Sequence, residues 1–463
     1  MSIFNKTIPQ ETVQRIHDAS MRVLSEKGIK FTYPRAVEIF QQQGFRTDGQ
    51  IVYCTEDQVM KALETTPESF ELLGKERRYD VTVGGGKPVL CPAYGPVYVE
   101  RRGEKLKACR EDLLNFTKLT QTSDVIDVLN PYVVTPLDVP AESLLLYQQA
   151  MSLKYGTKPT MCIMNGYETT KKSIEMIKGA TGLDEGCVTI GLASALSPLS
   201  YDDNMAGAAI ALAEANCANV FGCCALPGTT SPITLVGTMV TATAELLAGV
   251  VLSQLVRPGA PVVYGNVTAS TDMRFVTPAI GSPEAGKIAA LSKAMCEFYK
   301  IPCRSGGSLS DAKQTDYEAG SESMLAMLPT IAAGVDYIIH ACGILDSYNI
   351  IGYEKFLLDE QNIREIYWLL QDVILAPDDD DFGLEMIMET EHSGQYLYHD
   401  HTMGHLRSEL FIPTVSLRGY YDQWNTQGRK SLLSCAEDEL SARLDSYVLP
   451  ESPASFLESY LDV

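Results

Sequence analysis

Short apolar runs alternate with long amphipathic stretches along most of this chain. The clearest runs are Pro261–Asn266, Ile301–Gly306 and Asp336–His340, and helical patterns over Pro283–Tyr299 and Tyr317–Ala333 separate them. A continuous apolar run is typical of a parallel strand, because helices cover both faces of a parallel sheet. Strands that alternate with helices across short linkers predict βαβ units.

The alternation begins near Arg110 and predicts seven strand–helix units. The other predicted strands are Tyr132–Val134, Thr160–Met164, Val188–Leu192 and Val220–Leu226. An eighth strand is expected from a meander of short strands upstream, within residues 76–103, or from a segment near Met386. We therefore expect an α/β fold, a TIM (β/α)8 barrel, because so many consecutive units favour closure. A doubly wound open sheet is the alternative.

The segments on either side of this alternation predict two extensions. Residues 1–109 show three helical patterns, followed by short strands at 81–83, 89–91 and 97–99 that we interpret as a β-meander. Residues 110–360 would form the catalytic barrel. Residues 361–463 would form a C-terminal helical extension that packs on it. The acidic run Asp378–Asp381 predicts a solvated loop with a helix N-cap rather than a metal site.

Charge and composition narrow the class of protein. The 463 residues carry a net charge of −22, which argues against nucleic acid and against anionic membranes as partners. The apolar stretch Thr234–Val256 is interrupted by Glu245 and Gln254, so we expect a buried helix. The N-terminus lacks the order of a signal peptide. The 12 cysteines show no C-x-x-C pair, which predicts free thiols in a reducing cytoplasm.

Glycine and histidine motifs give little support for nucleotides or metals. Gly84-Gly85-Gly86 lacks the spacing of a phosphate loop and is interpreted as a tight turn. His401 and His405 stand four residues apart, beside His399, and could face one metal ion from a helix. No glutamate lies between them to serve a zinc hydrolase. We therefore expect no metal, with helix capping or an interface as the role of these imidazoles.

A cation, an imidazole and three tyrosines are the candidate site residues. Arg304 and His340 stand near the carboxyl ends of predicted strands, where barrels place their chemistry. Arginine binds carboxylates in bidentate fashion, and tyrosine faces bind quaternary ammonium ions. Together with Tyr94, Tyr348 and Tyr353, these residues suit a zwitterion that carries both groups. The alternative for each tyrosine is ordinary packing.

Several long strings stand in a specific order along the chain. They include IHDASMRVLSEKGI, IPCRSGGSLSDAKQTD, DYIIHACGILDS, GYEKFLLDE and GQYLYHDHTMGH. From Thr12 to Trp424 the chain resembles the trimethylamine methyltransferase superfamily. The resemblance implies a TIM barrel. The founding members carry pyrrolysine, whereas this chain has only standard residues, which implies the branch that demethylates quaternary amines.

That branch implies a specific reaction. Its substrates are of the glycine betaine, proline betaine, carnitine or γ-butyrobetaine type, and the methyl group passes to Co(I) of a separate corrinoid protein. The resemblance places Arg304 and His340 at the substrate carboxylate. It implies that this chain binds no cofactor of its own, and we expect a homo-oligomer. A metal-dependent barrel methyltransferase and a non-catalytic betaine-binding protein are the alternatives.

Overall fold

We describe residues 8–372, 382–451 and 454–463 from a computed structural model. The predicted loop Asp378–Asp381 lies outside these residues. Seven parallel strands form one curved sheet, and neighbouring strands hold a defined register, with Gly265 opposite Arg304. In spatial order the strands are Val89–Leu90, Tyr337–Ile338, Cys303–Arg304, Val262–Asn266, Ala218–Cys223, Thr189–Ser194 and Thr160–Met161.

Residues 127–129 close this sheet between its two edge strands. On one side Leu129 forms a parallel bridge with Thr160. On the other side the Asp127 N–H donates to the Leu90 carbonyl at 2.8 Å, and the Asp127 carboxylate accepts from the Leu90 N–H at 2.9 Å. The sheet thereby becomes an eight-membered closed wall, and the predicted TIM barrel is confirmed.

A helix follows each member of the wall and covers the outside of the barrel. These helices are Arg110–Thr122, Ala141–Tyr155, Gly166–Thr181, Asp203–Glu214, Leu235–Val256, Pro283–Tyr299, Tyr317–Ala332 and Tyr353–Leu369. Within the described residues, only Leu235–Val256 is long and apolar enough to cross a membrane, and 72% of its apolar window is buried. The prediction of a buried helix in this stretch is confirmed.

The N-terminal extension packs on the barrel helices. Its helices are Gln10–Arg22, which continues as a π-helical turn to Lys27, then Pro34–Gln42 and Glu56–Leu63. Its strands are Ile29–Phe31, Arg46–Asp48 and Ile51–Tyr53, and they form a sheet with Ser200–Tyr201. The first helix is fixed by His17, whose Nδ1 lies 3.0 Å from the Tyr299 hydroxyl, and by Ser20, which donates to the Val240 carbonyl at 3.2 Å.

The strands predicted as a meander exist but do not pair with one another. Val81–Val83 pairs with Phe70–Leu72, and Tyr98–Arg101 pairs with Glu104–Lys107 and Ile350–Gly352. Val89–Leu90 enters the barrel wall instead, where it pairs in parallel with Tyr337–Ile338 and the Val89 N–H donates to the Asp336 carbonyl at 2.9 Å. Part of the 1–109 segment therefore belongs to the barrel wall. The division of the chain into three domains stays a prediction.

Two other predicted strands are wrong. Tyr132–Val134 forms a turn, in which the Asn130 side chain accepts from the Tyr132 N–H at 2.9 Å and the Gln148 amide donates to the Val134 carbonyl at 3.3 Å. Residues 127–129 take its place in the wall. The segment near Met386 is helical, so the eighth strand comes from the other expected source, Val89–Leu90 of the predicted meander.

The C-terminal extension consists of short helices and one long one. They are Leu384–Glu389, Asp400–Glu409, Tyr421–Thr426, Leu432–Ser446 and Glu458–Leu461. The long helix packs on Tyr353–Leu369, where Arg443 Nη1 donates to the Glu360 carboxylate at 2.5 Å. The first two helices bury no residue of their own.

Candidate functional site

Three predicted site residues meet at the carboxyl edge of three adjacent strands. Arg304 ends the strand Cys303–Arg304, and His340 follows Tyr337–Ile338 by two residues. Tyr94 follows the next strand in the wall, Val89–Leu90. The carboxyl ends of barrel strands share one face, which is the face where barrel enzymes carry out their chemistry.

Arg304 is fully buried without an ion-pair partner. Its side chain is 0% exposed, and none of its three guanidinium nitrogens has a hydrogen-bond partner within the described residues. Burial lowers the pKa of Arg304, and the nearby Tyr348 and Cys224 oppose that shift. A guanidinium remains charged in proteins, so an unpaired one in the core is costly. The arrangement suits an anionic group that arrives with a ligand.

His340 stands beside Arg304 as a neutral imidazole. Its Nδ1 accepts a hydrogen bond from the Tyr94 backbone N–H at 3.2 Å, which places the ring proton on Nε2. Burial, together with the positive charge of Arg304, holds the pKa of His340 well below its usual value. The ring therefore adds a hydrogen-bond donor without a second positive charge.

Aromatic rings flank this imidazole. The Tyr348 ring centroid lies 4.7 Å from that of His340, and the Tyr94 ring meets His340 edge-on at 6.5 Å. Tyr132 lies 4.8 Å from Tyr94 and its hydroxyl accepts from the Met164 N–H at 3.0 Å. Tyrosine faces close to a buried arginine offer sites of opposite preference, one for an anion and one for an organic cation. Tyr132 was not among the predicted site residues.

Tyr353 does not join this cluster. Its ring stacks on Phe116 with centroids 4.3 Å apart, and its hydroxyl donates to the Asp112 carboxylate at 2.8 Å. Arg101 lies over the same ring at 5.1 Å. These contacts fix the start of the helix Tyr353–Leu369 against Arg110–Thr122. The sequence reasoning grouped Tyr353 with Tyr348 because both follow the same strand, but the helix start directs it elsewhere.

A turn of unusual backbone conformation holds Tyr348 in place. Asp346, Ser347 and Tyr348 have φ values of 48°, 51° and 79°, a left-handed region that side chains other than glycine rarely occupy. Asp311 supports this turn, because its carboxylate accepts from the Ser347 hydroxyl at 2.5 Å and from the Gly281 N–H at 2.9 Å. Runs of such residues persist only where their surroundings fix them, often at functional sites. No sequence signal identified this turn.

The cysteines are free, as predicted. All 12 lack a disulfide, and most are buried. Cys224 is the exception at the site, since it is solvent-exposed at the carboxyl end of Ala218–Cys223. Its neighbour Cys223 is buried and donates to the Glu245 carboxylate at 3.0 Å. Solvent therefore reaches the carboxyl face of the barrel at Cys224, whereas Arg304 itself is buried.

The late histidines lie in the C-terminal extension. His399 occupies the N-cap position of Asp400–Glu409 without a side-chain cap, and the rings of His401 and His405 lie 4.4 Å apart. Within the described ranges, no group of three or more His, Cys, Asp or Glu side chains is arranged to hold a metal ion. The expectation that activity needs no metal stays a prediction.

A closed (β/α)8 wall with its charged and aromatic groups at the carboxyl face defines a barrel enzyme. The chain belongs to the trimethylamine methyltransferase (MTTB) family, whose profile matches residues 3–462. The family assignment made from the sequence is thus confirmed. A crystal structure of the hydroxylamine MtmB complex shares the fold, with a TM-score of 0.54 and 13% identity over 96% of this chain and 89% of that one.

Three relatives carry names that specify a substrate. A glycine betaine methyltransferase of Desulfitobacterium hafniense is 33% identical over 90% of this chain and 88% of its own length. A proline betaine:corrinoid methyltransferase of Eubacterium limosum is 34% identical over 77% of this chain and 76% of its own. An L-carnitine:corrinoid methyltransferase of Eubacterium limosum is 31% identical over 96% of this chain and 93% of its own length. All three names denote enzymes that act on carboxylated quaternary amines.

Proposed function

We propose that this methyltransferase moves a methyl group from a carboxylated quaternary amine to the Co(I) of a separate corrinoid protein. The observation that carries the proposal is the buried, unpaired guanidinium of Arg304, which lies beside a neutral imidazole and tyrosine rings. A betaine supplies both missing partners, a carboxylate for Arg304 and a quaternary nitrogen for the rings. The names of the three relatives support the same substrate class.

Each group has a defined part in this proposal. Arg304 binds the carboxylate and fixes one end of the substrate. His340 donates from Nε2 without repelling the cation, because its ring is neutral. Tyr94 and Tyr348 border the quaternary nitrogen and remove water from it. Tyr353 has no part in substrate binding, because Phe116 and Asp112 hold it elsewhere.

The reaction needs orientation more than acid–base chemistry. A quaternary ammonium already has a neutral tertiary amine as its leaving group, and the Co(I) of the partner protein supplies the nucleophile. The chain therefore has to hold one methyl group in line with the open face of the barrel. Correct alignment lowers the activation barrier by about 7–11 kcal/mol in well-oriented reactions. We accordingly assign no catalytic acid, base or metal to this chain. We also propose that the protein is cytoplasmic and that it forms a homo-oligomer.

Spectroscopy of the corrinoid tests the proposal directly. We would incubate the protein with cob(I)alamin and, in turn, glycine betaine, proline betaine, carnitine, γ-butyrobetaine and trimethylamine. The expected result is methyl-Co(III) and the N-demethylated amine in equal amounts from one of the betaines. Trimethylamine should react poorly, because it offers no carboxylate to Arg304. A betaine that binds without methylating cobalt would instead identify a binding protein, and equal rates with trimethylamine would refute the role of Arg304.

A further inference from the structure

A β-hairpin projects from the same face of the barrel as Arg304. It lies in the connection between the strand Val262–Asn266 and the helix Pro283–Tyr299, and such strand-to-helix connections lie at the carboxyl face of a barrel. Its strands are Ser270–Asp272 and Thr277–Ala279, which pair in antiparallel register. Residues 273–276 form its tip.

The tip presents apolar side chains to solvent. Met273, Phe275 and Val276 are 52%, 73% and 62% exposed. Val276 also has a φ of 57°, an outlying conformation for a β-branched residue. The remaining tip residue, Arg274, pairs with Asp272 at 2.5 Å, so its charge is neutralised locally. Three exposed large apolar residues in four positions form a patch rather than scattered exposure.

Neighbouring loops continue this patch along the barrel opening. Ile233, in the connection after Ala218–Cys223, is exposed. A Cβ added to Gly228 would lie 3.2 Å from Met273 Sδ and 3.5 Å from Ile233 Cδ1, so the two side chains converge there. Leu196, in the connection after Thr189–Ser194, is exposed as well. We call Leu196, Ile233, Met273, Phe275 and Val276 the mouth rim.

The hairpin is tied at its base to the turn that holds Tyr348. The Pro278 carbonyl accepts from the Ser347 hydroxyl at 3.3 Å, and the Gly281 N–H donates to Asp311, which also binds Ser347. The tip is therefore presented from an anchored base. A fixed apolar surface next to a substrate site is suited to binding a macromolecule, because little order has to be gained on association.

We propose that the mouth rim is the surface on which the corrinoid protein docks. This inference rests on the proposed function, in which cobalt must approach the substrate methyl group through the open face of the barrel. A protein that carries the cobalt there has to cover the rim. The rim side chains are too exposed to enclose a small amine, whereas a protein partner would bury them and gain from removing apolar surface from water.

A second exposed apolar surface belongs to the C-terminal extension, outside the strand-to-helix connections of the barrel. It belongs to the helices Leu384–Glu389 and Asp400–Glu409, and Met388 is its most exposed member in the first of them. Met388 does not belong to a connection at the carboxyl face of the barrel, so it provides a control for the loss of an exposed apolar side chain.

The test compares a protein-bound acceptor with a free one. The variants are Met273→Asp and Phe275→Glu, and the control is Met388→Asp, an apolar position that is 77% exposed. Methyl transfer is measured against the concentration of a purified corrinoid protein that the wild type methylates, and separately against free cob(I)alamin. We expect the rim variants to raise KM for the corrinoid protein about tenfold or more, as interface residues do. Their rate with free cob(I)alamin and their betaine affinity should match those of the control.

Each other result overturns the docking assignment in a recognisable way. An unchanged KM for the corrinoid protein means that the rim is not its surface. Equal losses with both acceptors mean that the tip acts on the substrate site instead. A changed oligomeric mass of the rim variants, measured by light scattering, assigns the rim to contact between copies of this chain. A wild type that methylates neither acceptor refutes the proposed function itself, and the docking assignment with it.

Discussion

The Tyr94 backbone N–H donates to Nδ1 of His340 at 3.2 Å. This contact joins the first and last strands of the barrel wall, because Tyr94 follows Val89–Leu90 and His340 follows Tyr337–Ile338. It also fixes the tautomer of the imidazole, since an acceptor Nδ1 leaves the proton on Nε2. The pairing of these two strands and the tautomer of His340 therefore depend on each other.

The first prediction concerns stability against pH. Burial and Arg304 lower the pKa of His340 in the folded protein, whereas the unfolded chain titrates near about 6.5. Below that pH the unfolded state binds a proton that the folded state does not. The contribution of the neutral His340 ring to the free energy of unfolding is therefore present above about pH 6.5 and is lost as pH falls toward the folded-state pKa. The free energy of unfolding in urea should fall between about pH 7.5 and about pH 5. This fall should be smaller for His340→Asn than for the wild type, because asparagine does not titrate. Asparagine is chosen because it tolerates the left-handed φ of 64°.

The second prediction separates binding from stability at Arg304. Arg304→Met should weaken betaine binding by about 2–5 kcal/mol of binding free energy, because the carboxylate loses its partner. The same variant should be as stable as the wild type or more so, since an unpaired buried charge is replaced by an apolar chain. Arg304→Lys should recover affinity only in part, because an ammonium lacks the bidentate fork.

Calorimetry and thermal unfolding measure the two effects of Arg304→Met. The control is Arg35→Met, which removes a half-exposed cation paired with Glu214 on the outer surface and should leave betaine affinity unchanged. A large drop in the melting temperature of Arg304→Met would show that the guanidinium has a structural partner and would contradict its assignment to the substrate.

The third prediction distinguishes two tyrosines that follow the same strand. Tyr348→Leu should weaken betaine binding, because the ring beside His340 is lost. Tyr353→Phe should leave betaine binding unchanged but lower the free energy of unfolding by about 1–3 kcal/mol, since Asp112 loses a buried donor. Titration calorimetry and urea unfolding of both variants provide the comparison. The reverse pattern would move the cation site to Tyr353.

The fourth prediction concerns metal. Treatment with a chelator should leave methyl transfer unchanged, and His401→Ala should retain wild-type activity, because the late histidines belong to the C-terminal extension rather than to the barrel face. Elemental analysis of the purified protein provides the second measurement. One zinc per chain, with activity lost on chelation and restored by zinc, would favour the metal-dependent alternative.

The barrel was predictable because its strands are buried on both faces. Runs such as Pro261–Asn266 stand out as apolar segments bounded by Gly and Pro, and the structure has a strand at Val262–Asn266. Tyr132–Val134 was predicted as a strand because its residues are apolar. In the structure it forms a turn, and the side-chain amide of Gln148 donates a hydrogen bond to the Val134 carbonyl. Residues 127–129, which take its place, join the wall through one bridge to Thr160 and the hydrogen bonds between Asp127 and Leu90, contacts that no sequence pattern records.

The candidate site was predictable where position along a strand decides it. Arg304 and His340 stand at strand ends in the sequence, and parallel strands bring their ends together. Tyr353 could not be placed in the same way, because the first turn of a helix rotates each successive side chain by a large angle. The turn at Asp346–Tyr348 and its support by Asp311 depend on backbone conformations that non-glycine residues do not reveal in a sequence.

Closure of the wall by Val89–Leu90 against Tyr337–Ile338 has a consequence for synthesis on the ribosome. The first strand emerges early, but its partner emerges only after most of the chain has been translated. Until then the nascent chain carries an open apolar sheet with unpaired edges, a state prone to aggregation. The pairing that closes the wall is therefore available only late in synthesis, and a chain truncated before Tyr337 would keep its barrel open.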